Sequence, residues 1–155
     1  MTAIDNLLGA EPLIVARITE TMMSGEDAVL RQVLTRPDLA AITESMQNAP
    51  AVSVVFDGFV VQGGAPAELE HAAQLAQRWL TVITVKNIAD SKGAAARNQD
   101  AGPILRRLWN ALHGHTLGPG FTPLIPVSPP RAYYSAGFAY FPLAWSTSMT
   151  MCRSI

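Results

Sequence analysis

Cysteine is almost missing from this chain. Its 155 residues include one, Cys152, three places from the C-terminus. One thiol closes no internal disulfide and forms no Cys-x-x-Cys pair for a metal, so the expected state is a reduced intracellular chain. Charge is also scarce. Acidic and basic residues make up 15% of the chain, against roughly 25% in average soluble domains. They nearly cancel, to a formal net charge of -1, and form no basic stripe. That excludes avid non-specific DNA binding driven by charge. No apolar run approaches the roughly 20 residues that a bilayer-crossing helix needs. The N-terminal stretch holds Asp5 and Glu11 and lacks a basic start before an apolar run, so no secretory signal is expected. Internal repeats and low-complexity tracts are absent.

Signatures of catalysis are missing as well. His71, His113 and His115 are the only histidines, and no Gly-x-Ser-x-Gly elbow occurs to present a nucleophile. Asp57 with Glu68 or Glu70 could pair as acid and base, but carboxylates at strand ends are usually solvated. Gly63-Gly64 lacks a strand–loop–helix frame, and Lys92-Gly93 reverses the order of a Walker loop, so neither cradles a phosphate. His113-Gly114-His115 offers two imidazoles with no nearby carboxylate or thiol to complete a metal site. It reads as a polar helix end, where histidine suits the negative dipole. No catalytic residue, metal site or cofactor is expected.

What the chain has in quantity is apolar side chains, 49% of all residues. Its length suits one domain, 1–155, with a core that needs no staples. One physical reading is that a partner covers part of its surface, since large exposed apolar patches mark contacts. Leu13, Val15, Ile18 and Met22 recur near helical spacing after Pro12, which predicts a helix over 12–23 closed by Gly25. Ala28 to Leu34 reads as a short strand, and Pro37-Asp38 as a turn or short helical piece reaching Met46. Residues 51–61 are a strand, with Val52, Val54 and Phe56 alternating against Ser53, Val55 and Asp57. Gln62-Gly63-Gly64-Ala65-Pro66 breaks it into a mobile loop. Glu68 to Ala76 has a helix-forming composition yet equally suits the approach to a long strand.

Residues 77–87 form the second strand. Trp79, Thr81, Ile83 and Val85 point one way and Leu80, Val82 and Thr84 the other, so it is central and covered on both sides. The two strands most simply pair antiparallel. A principal helix covers 92–112 through Ala101, Ile104, Leu105, Leu108, Trp109 and Leu112. Pro103 leaves two options: a start near Asp100 as cap, or a longer helix kinked there. Gly114 terminates it. Proline density over 113–131 excludes helix and interior strand, leaving an extended surface loop. A last strand, 138–151, reads as half buried, with Pro142 marking an edge or bulge. Trp79, Trp109 and Trp145 default to core packing, with at least one able to serve an interface. The fold expected is α+β: a mixed, mainly antiparallel sheet of four or five strands with two main helices packed on it.

Four blocks in fixed order carry a family resemblance. The run from Pro50-Ala51-Val52 to Asp57-Gly58, followed by Gln77-Arg78-Trp79, resembles the tail-terminator proteins of long-tailed bacteriophages, particularly the Mu-like group. So do Arg97 with Ala101-Gly102 before a helix ending Ala111-Leu112-x-Gly114, and the closing Tyr134-x-x-Gly137-x-Ala139-Tyr140-x-Pro142-Leu143. The resemblance spans roughly residues 12–150 and its motifs are structural; Pro103 beside Gly102 departs from common members.

The resemblance implies a small protomer that joins copies of itself into a ring, typically hexameric. The ring is assembled in the host cytoplasm and sits in the virion, on the head-proximal end of the tail tube. There it stops tube growth and offers the surface that docks to the head. Implied partners are the tail tube protein, a sheath protein where the tail has one, and head–tail connector proteins. DNA passes through the ring without specific binding, and no membrane is involved. Enzymatic activity and cofactors are not implied. Loops at 62–76, 86–97 and 113–131 are the expected contacts, with Arg78, Lys86, Lys92 and Arg97 as their charged groups. The rival readings are another head–tail connector or tail-completion protein and, in a different class, a small cytoplasmic enzyme or ligand-binding module.

Overall fold

The β-branched stretches on either side of residue 70 form strands longer than their patterns mark. The computed structural model describes residues 6–25, 28–42, 49–64, 72–86, 93–135 and 137–152. Its elements are α1 (Ala10–Met22), β1 (Gln32–Arg36), α2 (Leu39–Ile42), β2 (Ala51–Gly64) and β3 (Ala72–Lys86). They continue with α3 (Gly93–Leu112), β4 (Ile125–Val127), β5 (Tyr133–Ser135) and β6 (Phe138–Cys152). The strands make one six-stranded sheet in the order β1-β2-β3-β6-β4, with β5 also paired to β6. Only β1 and β2 run parallel; every other pair is antiparallel. The expected α+β architecture with two main helices is present. Two three-residue strands, β4 and β5, take the strand count past the expected four or five.

β3 is central, as its two apolar faces require, and every residue from 79 to 85 is buried. It pairs with β6 in unbroken register from Ala72–Cys152 to Lys86–Phe138. That pairing settles the ambiguous 68–76 stretch for the part described: 72–76 is strand, and 68–71 lies outside the described residues. On the other side of β3, the β2 register slips between Phe56 and Phe59, where Asp57 and Gly58 together oppose Arg78. This is a β-bulge, and Gly58 adopts φ 87° in it, a conformation that other residues reach only with strain.

α1 and α3 share one face of the sheet. α1 buries Ala10, Ile14, Ile18 and Met22, a stripe at four-residue spacing; Leu13, read as inward, is instead 37% exposed. α3 contributes Ala101, Ile104, Leu108, Ala111 and Leu112 to a core shared with Val52, Val54, Trp79, Ile83 and Trp145. It runs through Pro103, so the longer-helix option holds. Gly114, at φ 77°, ends it and donates its N–H to Leu124 O. α1 and α3 are antiparallel, since Arg17 Nε donates to Ala111 O at 2.9 Å and Arg107 Nη2 to Thr21 O at 3.0 Å. Each guanidinium thereby meets a carbonyl near the negative end of the neighbouring helix. Both fully buried indoles are satisfied: Trp79 Nε1 donates to Gln77 Oε1 and Trp145 Nε1 to Thr81 Oγ1. The opposite face holds a smaller cluster of Ile42, Ala51, Val55, Leu80, Val82, Tyr140 and Ala144.

Four expectations need correction. The first strand starts at Gln32 rather than Ala28, because Val29 and Leu30 donate to Met22 O and Arg31 to Pro50 O. Those N–H groups are spent on the helix end and a loop, not on a ladder. The proline-rich 113–131 segment is not all loop, because β4 pairs with β6 around Pro126. Likewise Gln62 to Gly64 continue β2 rather than opening a loop. Finally, β6 is covered on both faces, with Ala139 and Trp145 buried on one and Tyr140 and Ala144 on the other. Pro142 fits there because β5 covers β6 only up to Tyr140 and β4 begins only at Ala144. Pro126 has no N–H to give, so the two-bond pairs of the β4 ladder fall at Ile125–Ser146 and Val127–Ala144. Carrying that alternation back along β6 turns the Pro142 nitrogen into the gap, where no ladder bond is lost.

Candidate interaction surfaces

Titratable groups are thinly spread over this fold. Among the described residues, no three His, Cys, Asp or Glu side chains gather closely enough to hold a metal ion. Nor is any described helix long and apolar enough to cross a membrane. His115 has its pKa pressed below the usual 6.5 by burial and by the Arg17 guanidinium, with Glu20 opposing. Tyr133 and Tyr140 stack at 4.6 Å on the face away from α1 and α3. Burial, and then Tyr140, push the Tyr133 hydroxyl up to about 12. Among the described residues, the large shift belongs to Tyr133 of this pair. One hollow of about 410 Å³ is lined by Val29, Ala49, Pro50, Val85, Lys86, Pro103 and Ile104. Among the described lining residues the walls are apolar and Lys86 is the one ionisable group. A second, of about 420 Å³, lies against Asp38, Asp57 and Leu80.

Of the four cations expected to contact partners, three fall on described elements, and they are placed very differently. Arg78 is engaged within the chain: its Nε donates to Asp57 Oδ2 at 2.6 Å and its Nη2 to Ser128 O at 2.9 Å. It therefore ties the β2 bulge to the proline-rich segment across three strands. Lys86 is exposed at the end of β3, on the rim of the apolar hollow. Lys92 lies outside the described residues. Arg97 falls in the first half of α3. The two whose side chains are described, Arg78 and Lys86, lie eight residues apart on β3.

Sequence reasoning missed a surface made of apolar residues. β1 pairs with β2 only as far as Arg36–Val55, while β2 runs on to Gly64. Beyond the bulge, Phe59, Val60 and Val61 are 47%, 67% and 59% exposed. Phe59 lies opposite Gln77, whose Nε2 donates to Leu7 O. Leu7 and Leu8, at the approach to α1, are also exposed, and the Gln77 bond places Leu7 at this end of the sheet. The signal was available in the run Gly58-Phe59-Val60-Val61-Gln62-Gly63-Gly64, which has no charged residue and ends in glycines. Its apolar character reads as buried strand until the neighbouring strand is seen to stop.

A family model described as phage tail terminator protein matches residues 5–154. No curated protein matches the chain.

Proposed function

The chain belongs to the phage tail terminator family, a structural component of the bacteriophage tail, and from that membership we propose how it works. Copies of the protomer close into a ring, six in number, on the head-proximal end of the tail tube. The ring ends tube polymerisation by covering the surface on which the next tube subunit would add. Its other side receives the connector proteins of the head, and a sheath protein where the tail has one. DNA passes through the lumen, and the near-zero net charge of the chain suits passage without specific binding. Residues 1–155 act as a single domain in this role. The family is structural rather than enzymatic, so the reading needs no pocket, cofactor or catalytic residue.

The observation that carries the reading is the extent of the family match, which leaves only the terminal residues outside it. Exposed apolar side chains at the β2 end agree with it, since they are costly on a monomer and useful in an assembly. Arg78, Lys86, Lys92 and Arg97 are the charged contacts to tube and head. Lys86, Lys92 and Arg97 carry the larger share, because the Arg78 charge is already compensated by Asp57. Electron microscopy of tails assembled without this gene tests the function. Tubes of uncontrolled length are expected, and tubes of normal length would remove the reading.

A further inference from the structure

We propose that copies of this chain join head to tail through opposite edges of the sheet. The β2 end of one copy seats Phe59, Val60 and Val61 against the β4 edge, at Ile125, of the next. This rests on the ring reading above and names the surfaces that make the ring.

The β2 edge is open and unguarded. Past Val55 no described strand pairs with its outer side, so its N–H and C=O groups are on offer. Edge strands are ordinarily protected by lysine, proline or inward charges. From Gly58 to Gly64 none of these is present. The edge is firm as far as Val61, which pairs with Leu75, before β2 slips once more against β3 between Val61 and Gly64; β3 and β6 stay in mutual register beside it. Large apolar side chains held on a stiff strand in water are a contact waiting for its other half.

The other half is on the same molecule. At the opposite edge of the sheet, Ile125 is 55% exposed on β4. The segment from Gly118 to Pro130 has no charged residue, so both edges are neutral and apolar. They suit each other and suit neither an acidic nor a basic partner. The edges also stand at the same height. Ile125 pairs with Ser146, which pairs with Arg78 opposite the β2 bulge; Val60 lies on the row of Ala76 and Ser148. Two residues separate those rows, about 7 Å along the strands, so copies meet side by side without a large step. Strand directions agree as well. β2 runs with β6 and against β4, so β2 of one copy beside β4 of the next continues the antiparallel alternation. Pro126 gives that edge no outward N–H, which makes side-chain packing the main contact. Two different surfaces on each copy are what a cyclic assembly needs, whereas β2 paired with itself would stop at a dimer.

The test is ring assembly by the full chain, alone and with purified tail tubes, read by native mass spectrometry and electron microscopy. Val60→Lys and Ile125→Asp are each expected to keep the monomer's melting temperature. Each should raise the concentration needed for rings by about tenfold or more, the effect of an unpaired charge forced into an apolar contact. An equal mixture of the two variants should recover rings, because in an alternating ring every junction is either the original pair or the two substituted positions facing each other. Rings from Val60→Lys at the wild-type concentration would overturn the proposal while leaving the ring reading intact. So would an effect of Val60→Lys with none of Ile125→Asp, which would assign the β2 edge to self-pairing or to the tube protein. A wild-type chain that never rings, with or without tubes, would overturn the ring reading and this contact with it.

Discussion

Val54 and Val60 are the same residue type on the same strand, six positions apart, and their surroundings are opposite. Val54 is fully buried under the helices, while Val60 is 67% exposed. The split belongs to β2: alongside its exposed end, Leu75 of β3 and Thr147 and Met149 of β6 stay buried. In the inner half, β2, β3 and β6 are covered by α1 and α3 on one face and by a second apolar cluster on the other. In the outer half, past the Gly58 bulge, β2 has lost β1 as a neighbour and its side chains face water. Burying a valine is worth about 1.5–3 kcal/mol, so the inner half carries the stability of the fold. The outer end of β2 is apolar surface that the isolated protomer does not use. That surplus directs attention to assembly and away from a pocket.

The comparison can be broken by substitutions, and the largest effect belongs to the inner half. Trp145 is fully buried, packs on Trp109 at 5.7 Å and bonds Thr81. Trp145→Ala should cost about 3–5 kcal/mol, read from the denaturant midpoint. A shift no greater than that of an outer-half substitution would erase the distinction. Next comes the bulge that separates the halves. No heavy atom lies within 4 Å of a Cβ placed on Gly58, so its φ of 87° alone sets the cost of a side chain. Gly58→Val should lose about 1–3 kcal/mol, and Gly58→Asn clearly less, because asparagine tolerates this conformation better. Equal losses would show that crowding, not backbone strain, governs the site.

A smaller effect, confined to high pH, tests the second face of the inner half. The Tyr133 hydroxyl is raised from 10.0 to about 12 and has no hydrogen-bond partner. Between those values the unfolded chain has lost a proton that the folded chain still holds, so stability falls as pH rises through that window. Tyr133→Phe should lose that part of the fall and be neutral or slightly stabilising at pH 7. An unchanged difference between wild type and variant from pH 7 to 12 would place the hydroxyl in water. The smallest effect belongs to the outer half. Val60→Lys should change monomer stability by no more than about 0.5 kcal/mol, as exposed sites do; a loss like that of Trp145→Ala would mean that Val60 is core.

Much of this was legible in the residues, for identifiable reasons. Period-two alternation marked Val52, Val54 and Phe56, and two apolar faces marked β3 as central. Both signals reflect burial, so they worked where the strands are buried. They failed where pairing alone decides. Ala72-Ala73-Gln74-Leu75-Ala76 has the composition of a helix, yet β6 on one side and β2 on the other hold it as strand. Pro126 argues against a strand until only one of its sides is asked to pair. The contact of Arg78 with Asp57 depends on the bulge, which no periodicity announces. On the site, the charged residues were visible as types but not as positions. The exposed run at Phe59 was read as strand and could not be read as surface, because exposure there follows from where β1 ends.

Immunogold labelling of this chain on purified tails, viewed by electron microscopy, tests the account most directly. A single cluster of label at the head-proximal end of every tube is the predicted result. Label spread along the tube, confined to the distal tip, or absent from the particle would contradict it.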